Sequence, residues 1–190
     1  MNFDATIVDA GSLVRLAVAG LLDNALQVTQ SLVVLDVVEL ECSSARPDDL
    51  AHRVRRWIDQ AGDAVTRVET IEGIARGVLE QRTLRSRDQL ERFNRDGAVR
   101  AIRSYVESLV PEDASMLLVV HEDRRLPGLL RATQVPVHLM TTRFFLQTLQ
   151  RDGFGAKVDA AAEAIANVPL TLAAAEEHLL RPPAAAAPGA

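Results

Sequence analysis

Short apolar runs of strand length, separated by longer segments with helical spacing, constrain the fold more than any other feature of this sequence. Three runs are rich in Val, Ile and Leu: Ala5 to Val8, Leu32 to Leu35 and Met116 to Val120. Runs that are apolar on both faces are typical of strands covered on both sides. Their alternation with helical segments predicts an α/β layered fold with a mainly parallel central sheet.

Two weaker runs extend the predicted sheet. Val65 to Val68 is a short candidate strand, and Val135 to Met140 is interrupted by Pro136. Proline has no backbone N–H to donate, so this last run is expected at a sheet edge or a strand start. Between the runs, apolar residues recur every three to four positions, as at Val99, Ile102, Val106 and Leu109, which predicts amphipathic helices.

Charge and cysteine content exclude several functional classes. The chain has 26 acidic and 21 basic residues, a formal net charge of -5, and one cysteine, Cys42. There is no general basic field for nucleic acid, and neither an internal disulfide nor a cysteine-based zinc site can form within one chain. Residues 1–4 lack the basic region of a secretory signal, and no apolar stretch approaches the roughly 18 residues of a membrane span. We expect a cytoplasmic protein without membrane contact.

The domain organisation is expected to be one domain with two short additions. Residues 1–168 are predicted as the domain, 169–181 as a helical extension that begins at Pro169, and 182–190 as a disordered tail rich in Pro and Ala. The segment Val158 to Leu180 carries enough apolar residues to pack on the domain or on a second copy of the chain. Core packing and a homodimer therefore both remain open.

Acidic residues follow each of the three strong strand candidates. The carboxyl ends of neighbouring parallel strands meet at one edge of a sheet, so these acids are expected to converge. Two ionised carboxylates about 4 Å apart repel by roughly 4 kcal/mol at an effective dielectric of 20, which favours proton uptake or a bound cation. Oxygen ligands favour Mg²⁺ or Mn²⁺, and hence phosphoryl chemistry. The acids are Asp9, Asp36, Glu122 and Asp123.

Two further acids, Glu39 and Glu41, lie in the helix predicted after the second strand. At 3.6 residues per turn they point about 200° apart, so only one can face the cleft. Glu41 is favoured because its long side chain can reach back toward Asp9. A simpler interpretation, in which Asp9 and Asp36 only cap helices, remains open.

Four segments show strand, acid and helix patterns in a characteristic order: Thr6 to Val14, Leu35 to Glu41, Val119 to Asp123 and Val137 to Leu146. Together they resemble the PIN-domain nucleases, over about Ala5 to Val168. The resemblance implies an α/β/α layered PIN-like fold and Mg²⁺- or Mn²⁺-dependent hydrolysis of RNA phosphodiester bonds. Many members are toxins of bacterial toxin–antitoxin modules, which implies an antitoxin protein as a partner besides the RNA substrate.

The resemblance also assigns roles to individual residues. The metal ligands are expected to be Asp9, Glu122 and Asp123, and the catalytic set is completed by Glu41 and Asp96. Hydroxyl and guanidinium groups near the site are expected to contact the RNA backbone or a ligating carboxylate. These substrate-binding candidates are Thr141, Thr142, Arg124, Arg125 and Arg143.

One departure from the family pattern leaves a second function open. Related sequences often have Gly-Glu at the start of the helix before the third strong strand, whereas this chain has Gly97 and Ala98. The adjacent Asp96 is the candidate replacement. If it does not compensate, the chain is a catalytically weakened PIN-like protein that acts as a protein-interaction module.

Two other classes fit less well. A signalling receiver normally has two neighbouring acids after its first strand, whereas Ala10 and Gly11 follow Asp9 here. A hydrolase triad of Ser12, His121 and Asp123 lacks the Gly-x-Ser-x-Gly turn that such enzymes use.

Overall fold

The computed structural model describes residues 3–27, 29–44, 49–81, 87–110, 116–149 and 151. The side chains of residues 43–44, 49–50, 81 and 87–95 are not described. The expected extension at 169–181, the expected tail at 182–190, and the part of the predicted domain beyond residue 151 lie outside these ranges.

Five parallel strands form one central sheet in the order β3-β2-β1-β4-β5. Helices occupy the connections and flank the sheet, which confirms the predicted α/β/α layered architecture. The strands are β1 Ala5–Val8, β2 Leu32–Leu35, β3 Val65–Val68, β4 Leu117–His121 and β5 Val137–Thr141. The helices are α1 Ala10–Val18, α2 Leu22–Leu26, α3 Asp36–Ser44, α4 Asp49–Ala61, α5 Ile71–Gln81, α6 Arg87–Ser108, α7 Leu126–Leu129 and α8 Thr142–Leu149.

The three central strands supply the middle of the hydrophobic core. Every residue of β2 and β4 is buried, and β1 is buried from Thr6 onward. Full burial of a Val, Leu or Ile side chain contributes about 1.5–3 kcal/mol, so these apolar runs favour two-sided burial strongly. The edge strands β3 and β5 are partly exposed, as expected for the strand that follows Pro136.

The order of the strands reverses between β1 and β4. From β1 the chain proceeds through β2 to β3 on one side of the sheet, and then returns to β4 and β5 on the other side. A reversal of this kind opens a crevice beyond the carboxyl ends of the two strands, which is where open α/β sheets bind ligands. The residues directly after Val8 and His121 therefore line the expected crevice.

Among the described residues, no helix is long and apolar enough to span a bilayer.

Candidate active site

Asp9 lies at the strand reversal, directly after β1. Its backbone N–H donates to the carbonyl of Val120, which continues the pairing of β1 with β4. Its carboxylate Oδ1 accepts a hydrogen bond of 2.7 Å from the backbone N–H of Ser12 and so caps α1. Asp9 is 7% exposed, and its position is fixed by both the sheet and the helix.

The second carboxylate oxygen of Asp9 holds the loop that follows β4. Asp9 Oδ2 accepts hydrogen bonds from the backbone N–H of Glu122, at 2.6 Å, and of Asp123, at 3.3 Å. Asp9 thus caps a helix, as the simpler interpretation expected, and it also joins segments more than 110 positions apart. A carboxylate that only capped α1 would not need to face this crevice.

The carboxylate of Glu41, in α3, interacts electrostatically with that of Asp9. Burial, and then the negative charge of Asp9, raise the pKa of Glu41 from 4.5 to about 7, with Asp123 adding to the rise. Arg76 and Arg125 oppose this effect. In the described part of the chain, no hydrogen bond or ion pair to the Glu41 carboxylate is present. Its negative charge is therefore poorly compensated, as a cation-binding or proton-accepting group requires.

Glu39 points to another part of the surface. Its carboxylate lies 3.5 Å from Arg67 Nε and 3.9 Å from Arg55 Nε, on β3 and α4 respectively. The two glutamates thus diverge as helical geometry requires, and Glu41 is the one that shares the environment of Asp9.

Asp123 and Asp96 are bridged by Arg125. The Asp123 carboxylate accepts hydrogen bonds from the Arg125 backbone N–H and from its Nε and Nη2, while Nη1 donates to Asp96. These hydrogen bonds hold the pKa of Asp123 below its ordinary value. They also raise the pKa of the Arg125 guanidinium above its ordinary value. Asp96 therefore lies near Asp123, whereas the buried Ala98 supplies no acid.

Glu122 turns toward Arg15 of α1. Arg15 Nη1 lies 3.0 Å from Glu122 Oε1, and each side chain is 9% exposed. The contact is an ion pair without hydrogen-bond alignment, since neither Glu122 Oε1 nor Arg15 Nε has a hydrogen-bond partner in the described part of the structure. The backbone N–H of Glu122 thus lies at the crevice, where it donates to Asp9, whereas its carboxylate is paired with Arg15.

Of the five predicted substrate-binding residues, Arg125 is paired with Asp123 and Asp96, and the other four differ in their exposure. Thr142 is fully buried and its hydroxyl donates to Ser12 Oγ at 3.0 Å, so it links α8 to α1 beneath Asp9. Thr141 is exposed and its Oγ1 accepts from the backbone N–H of Phe144. Arg124 and Arg143 are exposed at the ends of β4 and β5, on the same edge of the sheet as Asp9.

Asp36 is part of a structural connection that the sequence did not predict. Its carboxylate accepts hydrogen bonds from the backbone N–H of Val37 and from both the N–H and the hydroxyl of Thr70. The Thr70 hydroxyl oxygen in turn accepts from Gly73 N–H, at the start of α5. The sequence signal for this role is the spacing of Thr70 and Gly73. Threonine is typical of a helix N-cap, and the glycine three residues later leaves room for the Asp36 carboxylate.

The carboxylates near Asp9 offer the oxygen atoms that a hard divalent cation prefers, but they do not form a complete set of metal ligands. Within the described residues, no group of three or more His, Cys, Asp or Glu side chains is arranged to hold a metal ion. Magnesium is commonly bound by only one or two carboxylates, with waters and substrate phosphates as its other ligands. Asp9 and Glu41 are carboxylates of the chemical kind that could serve as such ligands, and burial, followed by the charge of Asp9, raises the pKa of Glu41.

Comparisons of this chain with family models, with curated proteins and with solved structures give no match.

Proposed function

We propose that the chain is a Mg²⁺- or Mn²⁺-dependent nuclease that hydrolyses RNA phosphodiester bonds. The observation that carries this proposal is the position of Asp9. It lies at the strand reversal, fixed by three backbone N–H groups. Burial, and then the negative charge of Asp9, raise the pKa of the neighbouring Glu41. A fixed carboxylate beside a second one whose charge is poorly compensated, at the ligand-binding edge of a parallel sheet, favours a cation and a phosphate substrate.

Asp9 and Glu41 would hold the cation. Asp9 Oδ1 accepts one hydrogen bond and so keeps a lone pair for a further partner, while Oδ2 already accepts two. A divalent cation bound here would neutralise phosphate charge and lower the pKa of a coordinated water. Glu122 and Asp123, which the PIN resemblance assigns as ligands, contribute their backbone N–H groups to the placement of Asp9.

The other residues of the site would bind and orient the RNA. Arg124 and Arg143 are exposed near the acidic crevice, where their guanidinium groups can meet backbone phosphates. Thr142 donates a hydrogen bond to Ser12 and so holds α8 against α1. Its role is to position α1, which Asp9 caps, and not to contact the RNA. Single-stranded or looped RNA is the expected substrate, because its backbone can enter a crevice at the strand ends more readily than that of a duplex.

The PIN resemblance supports a finer proposal for the biological role. The chain would be the toxin of a toxin–antitoxin module in the cytoplasm, held inactive by an antitoxin protein. This role follows from the resemblance of the four segments and depends on the nuclease activity.

The experiment is a cleavage assay with a labelled single-stranded RNA. Wild type is compared in Mn²⁺ and in EDTA with Asp9→Asn and Glu41→Gln, and with Glu107→Gln as a control on the exposed face of α6. We expect cation-dependent cleavage that falls by at least about 100-fold in the two site variants and is unchanged in the control. Equal cleavage by all four proteins would rule out this active site.

A second candidate function, a catalytically weakened interaction module, is favoured by one face of α5. Ile71, Ile74 and Val78 are 81%, 63% and 43% exposed, and their spacing puts them on one side of the helix. An exposed apolar stripe of this kind suits a second copy of the chain, whose own α5 could pack against it.

Light scattering after size-exclusion chromatography discriminates this candidate. If it is correct, wild type is a dimer, Ile74→Glu is a monomer, and Val110→Glu, at an apolar residue outside the stripe that is 49% exposed, remains a dimer. A monomeric wild type with cation-dependent cleavage would favour the nuclease instead.

A further inference from the structure

We propose that the guanidinium of Arg125 is a built-in cation of the acidic site. It takes the position between Asp96 and Asp123 that a second divalent ion would otherwise occupy, so that the chain binds one divalent ion, at Asp9 and Glu41. The single-ion part of this inference rests on the proposed function. The role of Arg125 as a counter-charge rests on its own contacts.

The contacts of Arg125 occupy both oxygens of the Asp123 carboxylate. Oδ1 accepts from the backbone N–H at 2.8 Å and from Nε at 3.0 Å, and Oδ2 accepts from Nε at 3.1 Å and from Nη2 at 2.6 Å. Three N–H groups of Arg125 make these contacts, with Nε–H shared between the two oxygens, so they engage at least three of the roughly four lone-pair sites of the carboxylate. Arg125 therefore neutralises Asp123 and covers both of its carboxylate oxygens, so a metal ion at Asp123 would have to displace the guanidinium.

The remaining arm of the guanidinium reaches a different element. Arg125 Nη1 donates to Asp96 Oδ1 in α6, 29 residues earlier in the chain. The side chains of Asp96 and Asp123 are 41% and 20% exposed, so solvent screens the pair only partly. The guanidinium of Arg125 is permanently charged and lies between the carboxylates of Asp96, in α6, and Asp123, after β4. It therefore has the charge and the position of a cation that bridges the two carboxylates.

This arrangement disfavours a second metal ion, because the ion would compete with the guanidinium for Asp123 and Asp96. Two-metal sites for phosphoryl transfer hold their ions about 3.5–4 Å apart and stabilise both the attacking and the leaving oxygen. Here Asp123 is paired with arginine through both of its oxygens, and the buried Ala98 supplies no carboxylate at its position in α6. A guanidinium beside the metal site would instead supply the second positive charge next to the substrate phosphate.

The test counts Mn²⁺ ions bound to the full chain by equilibrium dialysis, with Mn²⁺ alone as the probe. Wild type is compared with Arg125→Gln, which removes the charge, and with Arg125→Lys, which keeps it. Arg103→Gln, which breaks an exposed ion pair within α6, is the matched control. We expect one ion per chain for wild type, Arg125→Lys and Arg103→Gln, and one additional ion for Arg125→Gln.

The double variant Arg125→Gln/Asp96→Asn should lose that additional ion, because one of its two carboxylates is gone. Two ions on wild type, or equal numbers on wild type and Arg125→Gln, would overturn the inference. No ion on wild type but one on Arg125→Gln would support the role of Arg125 and contradict the proposed metal-dependent nuclease. If circular dichroism shows that Arg125→Gln does not fold, the wild-type count decides: one ion supports the inference, two ions overturn it, and no ion contradicts the proposed metal-dependent nuclease on which its single-ion part rests.

Discussion

The carboxylate of Asp36 occupies the space that a Cβ atom on residue 73 would need. A Cβ built on Gly73 overlaps Asp36 Oδ2 and lies only 2.7 Å from Oδ1. Asp36 cannot move away cheaply, because it accepts hydrogen bonds from Val37 and from the N–H and hydroxyl of Thr70. The end of β2 and the start of α5 are therefore joined through a contact that only glycine permits.

Gly73→Ala should destabilise the fold, although alanine is the better helix former. The methyl group must displace a carboxylate with three hydrogen bonds, and we expect a loss of about 2–3 kcal/mol in the free energy of unfolding. Gly77→Ala is the matched control in the same helix, since nothing lies within 4 Å of its Cβ position. It should be neutral or stabilise by up to about 1 kcal/mol. Urea denaturation of both variants checks this, and a Gly73→Ala variant as stable as Gly77→Ala would be inconsistent with the contact.

The Arg15–Glu122 pair should contribute to stability out of proportion to one ion pair. Arg15→Met leaves the Glu122 carboxylate buried without a counter-charge, and we expect a cost of about 3 kcal/mol. Arg103→Met removes an i,i+4 pair whose side chains are 47% and 46% exposed, and should cost no more than about 0.5 kcal/mol. In the double variant Arg15→Met/Glu122→Gln, much of the lost stability should return. Equal urea midpoints for the two single variants would contradict the buried pair.

Glu41 should make the fold less stable as the pH rises toward neutrality. Its pKa in the folded chain, about 7, exceeds its ordinary value of 4.5, so the folded state holds the proton more tightly than the unfolded state does. Stability is therefore lost between about pH 4.5 and pH 7, by up to about 3 kcal/mol, and stays low above pH 7. Glu41→Gln cannot ionise and should escape this loss.

The measurement is the free energy of unfolding in EDTA from pH 4.5 to pH 8. The advantage of Glu41→Gln over wild type should be near zero at the lowest pH and largest above pH 7. Glu39→Gln is the control, because Glu39 is paired with Arg55 and Arg67 away from Asp9. An advantage that does not change with pH would show that the effect of the substitution is not one of ionisation.

The fold could be predicted from the sequence where local composition decides the structure. The runs at 5–8, 32–35 and 65–68 form strands with those bounds, because their β-branched and aliphatic residues need burial. The predicted run from Met116 begins one residue early, since Met116 is 40% exposed and its backbone N–H donates to the Asp4 carboxylate. The run from Val135 begins two residues early, because Pro136 has no N–H for strand pairing.

The candidate site could be predicted only in part. The recurrence of acids at strand ends indicated the edge of the sheet at which Asp9 meets Glu122 and Asp123, and helical geometry separated Glu41 from Glu39. The strand order was not predicted, and it is the reversal between β1 and β4 that makes Asp9 central. Nor did the sequence indicate that Arg15 pairs with Glu122, because such partners are set by tertiary packing and carry no local signal.

The central claim is that Asp9 and Glu41 together bind a hard divalent cation. Crystals of the full chain soaked in Mn²⁺ and measured at the manganese absorption edge test it directly. We expect one anomalous peak at coordination distance, about 2.0–2.2 Å, from a carboxylate oxygen of each residue, and its loss in Asp9→Asn crystals. Well-ordered crystals of the wild type with no peak at these two carboxylates would contradict it.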